Sequence, residues 1–342
     1  MSPHTAAPPH TSEEMLSLAL TLALGSCFDG PHDMHTPSRC VSAPPRNGTA
    51  SRCFVDPVWT TQEIHVQKRV VYGAAFNNAT KKNETLTLDI YTPPVSDERT
   101  LRPAFVLVHG GSFESGSSTS DDEPAFAQNL VARGFVAVSI NYRLTGAHYG
   151  LASEQPPLDA AEDTRAAIRY LRKNAVALKI DPSRIGVAGD SAGAITSLYI
   201  GYVKDAAGEG HSGNPGFSSA VRVAVPISGE LKAQAFCKID GAGKPYDCQV
   251  DGTLDKTSDI DASSLPPLAM VHGTADPIVP YVNAQEVIAQ STKVGLKHTL
   301  ISIPGAQHVP FKELFTESTY LVDLMTFLVD AMDLAHTQCP HN

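Results

Sequence analysis

The run Val187–Gly193, VAGDSAG, joins an apolar segment to small, helix-compatible residues through a turn at Ser191. Gly-x-Ser-x-Gly puts a serine on a sharp strand-to-helix corner with its hydroxyl exposed. Gly189 and Gly193 lack a Cβ, so a strained turn and a close strand-helix approach cost little there. A plain glycine turn can read the same way. The meaning of Ser191 therefore depends on whether the chain supplies a base, an acid to orient it and donors for an oxyanion.

Around this corner, short apolar runs alternate with helix-like segments. IHVQKRVVYG from Ile64 and LTLDIYTP from Leu86 alternate like strands, with Pro93 and Pro94 ending the second. Continuous apolar runs at Ala104–Val108, Phe135–Ile140, Ile185–Ala188, Val221–Ile227, Leu268–Val271 and His298–Ile303 suit buried strands. Helical patterns fall near Pro124–Arg133, over 156–178, over 192–203, near Asn283–Gln290 and over Tyr320–Leu334. In the longest, Ala161, Ile168 and Leu171 are predicted on the buried side, with Asp159, Glu162 and Asp163 as N-terminal dipole partners and solvent-face charges. Such alternation means an α/β fold, a mostly parallel sheet covered on both faces. No linker interrupts it, so residues 64–342 are expected to form one catalytic domain.

In open α/β sheets the reactive groups gather beyond the carboxyl ends of the strands. Asp276 lies in the turn HGTADP directly after Leu268–Val271, and His308 lies in PGAQH directly after His298–Ile303. The order Ser191, Asp276, His308, each on a loop after its own strand, is that of an α/β-hydrolase triad. After Ala104–Val108 comes His109-Gly110-Gly111-Ser112, a turn able to aim backbone N–H groups at an oxyanion, with Ala192 after the serine offering another. His109 and Gly110 are expected to support this loop. Asp190 is expected to complement a helix N-terminus, His272 to be a turn residue, and Glu230 to be a solvated loop acid or a pocket border.

With these residues in place the chain resembles the HGG-type carboxylesterases of the α/β-hydrolase superfamily, including hormone-sensitive-lipase-like and feruloyl-esterase-like members. The resemblance spans about residues 64–334 and rests on VLVHGGSF, INYRL, PLDAAEDTRAAIRYLRKN, DPSRIGVAGDSAG, HGTADPIVP and GAQHVP in that order. It implies Ser191 as nucleophile, His308 as base and then acid, Asp276 as its orienting carboxylate, and Gly111, Ser112 and Ala192 as oxyanion donors. Ser112 departs from the third glycine or other small or aromatic residue of many relatives, and its side chain could narrow the acyl side. Residues 231–265, where hydrolases often insert a lid, are rich in Gly, Asp and Lys and lack the apolar face of a lipid-interface lid. No large lid domain is expected, and a short-acyl esterase is favoured over a long-chain lipase.

The rest of the chain bears on location and partners. Met15–Leu24 is too short to span a bilayer but has the length of a secretory h-region. Residues 1–26 are accordingly expected to be a leader or signal peptide; Glu13, Glu14 and the lack of Lys or Arg before Met15 make a poor n-region, which a true start at Met15 would resolve, an amphipathic leader or a disordered tail being the alternative. Residues 27–63 form an expected irregular arm pinned by disulfides. Cys27, Cys40, Cys53, Cys237, Cys248 and Cys339 are even in number and lie in flanks and a loop. Cys40 with Cys53 and Cys237 with Cys248 could close short loops, leaving Cys27 for Cys339. Sequons at Asn47, Asn78 and Asn83 agree with secretion. A net charge of -10 argues against nucleic-acid and anionic-membrane partners. The expected partner is a small-molecule or polymer-borne ester, such as an acetyl or feruloyl ester or a polyester, with no metal or organic cofactor, no stable membrane insertion and an oligomeric state the sequence does not specify. A serine amidase or peptidase of the same fold, and an inactive receptor or adhesion protein on a hydrolase scaffold, are the alternatives.

Overall fold

The computed structural model describes residues 52–120, 122–145, 155–202, 210–230, 238–239, 245–246, 264–335, 337 and 339. Within them runs an eight-stranded sheet in the order β1-β2-β4-β3-β5-β6-β9-β10. Its strands are β1 (His65–Asn77), β2 (Lys82–Thr92), β3 (Arg102–Val108), β4 (Val136–Ile140), β5 (Ile180–Asp190), β6 (Ala224–Ile227), β9 (Leu268–Gly273) and β10 (His298–Ile303). β7 (Lys238–Ile239) and β8 (Pro245–Tyr246) make a separate small ladder. β1 and β2 form an antiparallel hairpin and β2 meets β4 antiparallel; from β4 to β10 every pairing is parallel.

The continuous apolar runs become strands that feed two cores. Along β3, Ala104, Val106 and Val108 enter one core while Phe105 and Leu107 enter the other. That is the period-two alternation of a strand covered on both faces. The first core packs α2 (Gln155–Lys173), α4 (Ala192–Tyr202) and α5 (Tyr281–Lys293) through residues such as Ile168, Leu171, Leu198, Tyr199 and Val287. The second packs α1 (Glu123–Ala132), α6 (Phe311–Thr316) and α7 (Ser318–Ala331), with Phe126, Phe311, Leu324 and Leu328 inside. The helix read over 156–178 divides: α2 ends before Asn174, and a single turn, α3 (Ala175–Leu178), leads to the left-handed Lys179 and into β5. The run Val221–Ile227 contributes only its last four residues to a strand.

Two expectations are corrected here. Asp159 and Asp163 are buried, not solvent-facing. They close on Arg143, which follows β4: its guanidinium lies 3.1 Å from Asp159, 2.9 Å from Asp163 and 3.0 Å from the half-buried Glu162. Burial alone would lower the pKa of Arg143, but these carboxylates, Asp163 foremost, hold it above the ordinary range. The second correction concerns the cysteines: Cys53 is bonded to Cys339, with the Cα atoms 5.2 Å apart, so neither Cys40 with Cys53 nor Cys27 with Cys339 is the pairing. Packing explains it. Phe54 and Val55 sink into the second core, Phe54 edge-on to Phe135. Arg133 donates to the Val55 carbonyl and Trp59 N–H to that of Ala132. Leu334, beyond α7, is buried in the same core, which brings the two cysteines together. Cys27, Cys40, Cys237, Cys248, Asn47, the proposed leader and nearly all of 231–265 lie outside the described residues. Asn78 sits half-buried in the β1–β2 turn, and Asn83 is exposed on β2.

Candidate active site

The Ser191 corner is built by close backbone approach. Ser191 has φ 50°, in the left-handed region that costs a non-glycine residue roughly 1–2 kcal/mol. Its N–H donates to the Ile227 carbonyl at 3.0 Å, and its own carbonyl accepts from Ile195 N–H as α4 begins. A Cβ on Gly193 would collide with the Val108 and His109 carbonyl groups, so only glycine lets α4 start this close to β3.

His308 arrives from the opposite side of β6 on the loop after β10. Its Nε2 lies 3.0 Å from Ser191 Oγ and its Nδ1 2.8 Å from Asp276 Oδ2. Asp276 Oδ1 accepts from the N–H groups of Ile278 and Val279, both at 2.9 Å. Burial works to raise the Asp276 pKa, but the His308 bond and then the two N–H bonds outweigh it and hold the carboxyl below its ordinary value. With Asp276 ionised, Nδ1 of His308 carries the proton and Nε2 is free to accept one from Ser191. The His308 loop is tied by Val309 N–H to Ser228 Oγ at 3.0 Å and by Gly305 N–H to Thr274 Oγ1 at 2.8 Å.

The HGG loop lies directly against the serine: a Cβ on Gly110 would stand 3.2 Å from Ser191 Cβ. Gly111 (φ 98°), Ser112 (φ 56°) and Phe113 (φ 63°) are all left-handed, and the N–H groups of Glu114 and Ser115 close back on the Gly111 carbonyl. Ala192 begins α4, so its N–H belongs to the first turn, which has no carbonyl partner within the helix. His109 is buried, with Nδ1 2.7 Å from the Gly110 carbonyl; since a carbonyl only accepts, Nδ1 is the protonated nitrogen.

Three residues have roles here that their local sequence does not disclose. Asp190 is more than a helix-terminal charge, because its Oδ1 accepts from Gly110 N–H at 3.1 Å. Tyr142 stacks on His109 with ring centroids 4.3 Å apart. Ser228, fully buried after β6, holds the residue following His308. His272 is not a turn residue. It is buried in β9, donates Nε2–H to the Val279 carbonyl at 2.8 Å, and sits 3.4 Å from Asp276 Oδ2. Burial lowers its pKa, which keeps it neutral behind the acid. Glu230 is half-buried and accepts from Asn283; burial and Glu286 raise its pKa. Among the described residues no cluster of His, Cys, Asp and Glu could hold a metal ion, and no helix is long and apolar enough to cross a membrane.

The BD-FAE family model, an α/β-hydrolase esterase family, matches residues 88–230. The fold aligns with a carbohydrate esterase from gut microbiota (TM-score 0.59, 24% identity, 79% of this chain and 96% of that one). The chain has the α/β-hydrolase fold. A thermophilic esterase of Thermogutta terrifontis, solved with propionate bound, aligns with a TM-score of 0.61 at 24% identity over 81% of this chain and 97% of that one. Carboxylesterase NlhH of Mycobacterium tuberculosis is 38% identical over 120 residues, 35% of this chain and 34% of NlhH. The chain thus spans about a third of the length of this curated relative.

Proposed function

We propose that this α/β-hydrolase is a serine carboxylesterase that works through an acyl-enzyme on Ser191. The observation that carries the reading is the unbroken path from Ser191 Oγ through His308 to Asp276, at 3.0 and 2.8 Å, beside a glycine loop with left-handed backbone. As Oγ forms its bond to the ester carbonyl carbon, its proton passes to His308 Nε2 and the carbonyl electron pair moves onto oxygen. N–H groups of Gly111, Ser112 and Ala192 receive that oxyanion. Collapse breaks the bond to the alkoxide, which leaves with the proton from Nε2. Water then repeats the cycle through the same histidine and releases the acid. Asp276 holds the ring in its Nδ1–H tautomer and stabilises the imidazolium formed at each step.

The match to carboxylesterase NlhH and the BD-FAE model supports ester over amide chemistry. The propionate held by the Thermogutta enzyme favours short acyl groups, on small molecules or polymers. The Cys53–Cys339 bond and the exposed Asn83 sequon favour an oxidising, secretory location. A panel of nitrophenyl esters of rising chain length, run beside nitroanilides and a peptide, tests the reading. Turnover should be greatest for acetate to butyrate; faster cleavage of the anilide or peptide, or no ester turnover, would overturn it.

A further inference from the structure

The loop beside Ser191 is gripped from below by the segment that follows β4. Ser118 N–H donates to Asn141 Oδ1 at 2.9 Å, and Thr145 N–H donates to the Phe113 carbonyl at 3.1 Å. Between these ends Tyr142 reaches the turn itself: its hydroxyl lies 3.1 Å from the His109 carbonyl and 3.2 Å from that of Gly110. Arg143, bound to Asp159 and Asp163 of α2, anchors the segment, so Tyr142 presents its hydroxyl from a fixed support.

Gly110 is consequently held on both peptide groups. Its N–H donates to Asp190 Oδ1, and its carbonyl receives His109 Nδ1–H and a share of the single Tyr142 O–H, which is divided between the Gly110 and His109 carbonyls. The second of these groups decides the chemistry. The peptide joining Gly110 to Gly111 is planar and trans, so its C=O and N–H point in opposite directions. A donor pulling on the Gly110 carbonyl therefore sets where the Gly111 N–H aims. The following backbone gives a reason to need such a hold: Ser112 and Phe113 both occupy left-handed conformations that side chains disfavour, and the turn would relax if released.

We propose that Tyr142 is a positioning residue for oxyanion stabilisation, whose hydroxyl fixes the Gly110–Gly111 peptide so that the Gly111 N–H faces the oxygen of the ester carbonyl whose carbon Ser191 attacks. The inference rests on the esterase reading of the site. Burial, with Asp190 and Glu123 nearby, pushes the Tyr142 pKa far up, so the hydroxyl stays protonated and remains a donor.

Tyr142→Phe isolates the hydroxyl, because the ring keeps its stack on His109 and its place beside Phe113. His109 still holds the Gly110 carbonyl in the variant, so the loss should be less than the 10²–10³-fold cost of deleting a donor, about tenfold in kcat with nitrophenyl butyrate. KM should stay within about twofold, since the oxyanion forms only in the transition state. Affinity for a trifluoromethyl ketone, which adds to the serine as a tetrahedral oxyanion, should fall by the same factor as kcat. The thermal midpoint serves as the folding control. An unchanged kcat in Tyr142→Phe would overturn the proposal, as would a loss shared by KM and the melting temperature without selective weakening of the ketone. Absence of ester turnover in the wild-type protein would instead overturn the esterase reading, and the positioning role with it.

Discussion

Ser191 and His308 meet at 3.0 Å, yet the two sides of that contact are constructed differently. On the serine side, position follows mainly from backbone against backbone: a left-handed Ser191 and a Gly193 without room for a Cβ. On the histidine side, position follows from individual polar bonds made by Ser228, Thr274 and Asp276, in a loop where His308 itself is partly exposed. A steric arrangement fails in one step when an atom is added. An arrangement of separate hydrogen bonds weakens by degrees, each bond contributing about 1 kcal/mol net.

Gly193→Ala should show the largest effect, because the added methyl has nowhere to go but into the Val108 and His109 carbonyl groups. Separating α4 from β3 is expected to cost about 3 kcal/mol or more, measured by urea unfolding, and to abolish turnover. A stable, active Gly193→Ala protein would remove the distinction between the two sides. Asp276→Asn should leave the fold nearly intact, since the amide oxygen can still accept from Ile278 and Val279. With the tautomer of His308 no longer enforced, kcat should fall by about 10³–10⁴.

Ser228→Ala removes one bond to Val309 N–H and should lower kcat only about three- to tenfold, with a small shift in melting temperature. A loss as great as that of Asp276→Asn would show that the histidine side also behaves as a single unit. The smallest effect on catalysis is expected far from both sides, at Asp97. Burial would raise its pKa, but Arg99 and Arg102 outweigh burial and bring it down to about 2. A carboxylate with a lowered folded-state pKa stabilises the protein fully above its unfolded value, and that contribution disappears as pH falls through the folded value. Asp97 should therefore contribute roughly 2 kcal/mol at neutral pH, lost between about pH 4 and 2. Asp97→Asn should retain kcat, and its stability deficit against wild type should narrow over that interval in urea titrations.

The same contrast explains what could be read from sequence. Ser191, Asp276 and His308 each follow an apolar strand within a few residues, so chain adjacency alone places them at the same edge of the sheet. The strands were legible because β3, β4 and β9 are buried on both faces and so are mostly apolar. Bonds that join distant segments leave no local pattern. Asp190 lies 80 residues from Gly110, and Cys53 lies 286 from Cys339. The acids of α2 look like solvent-face charges because helical periodicity reports which face is polar, not what covers it. One signal was available: Arg143 follows the apolar run Phe135–Ile140 closely, and Asp159 and Asp163, four apart, share a helix face that could receive it. Tyr142 adjoins that arginine, but its contact with Gly110 depends on the path of the chain after β4.

The role of Ser191 is most directly tested by active-site labelling. Folded wild-type protein would be treated with a fluorophosphonate, and the adduct mapped by peptide mass spectrometry beside Ser191→Ala. Near-stoichiometric phosphonylation confined to Ser191, and none in the variant, is expected. Labelling of another residue, or an unlabelled Ser191 in folded protein, would contradict its assignment as the nucleophile.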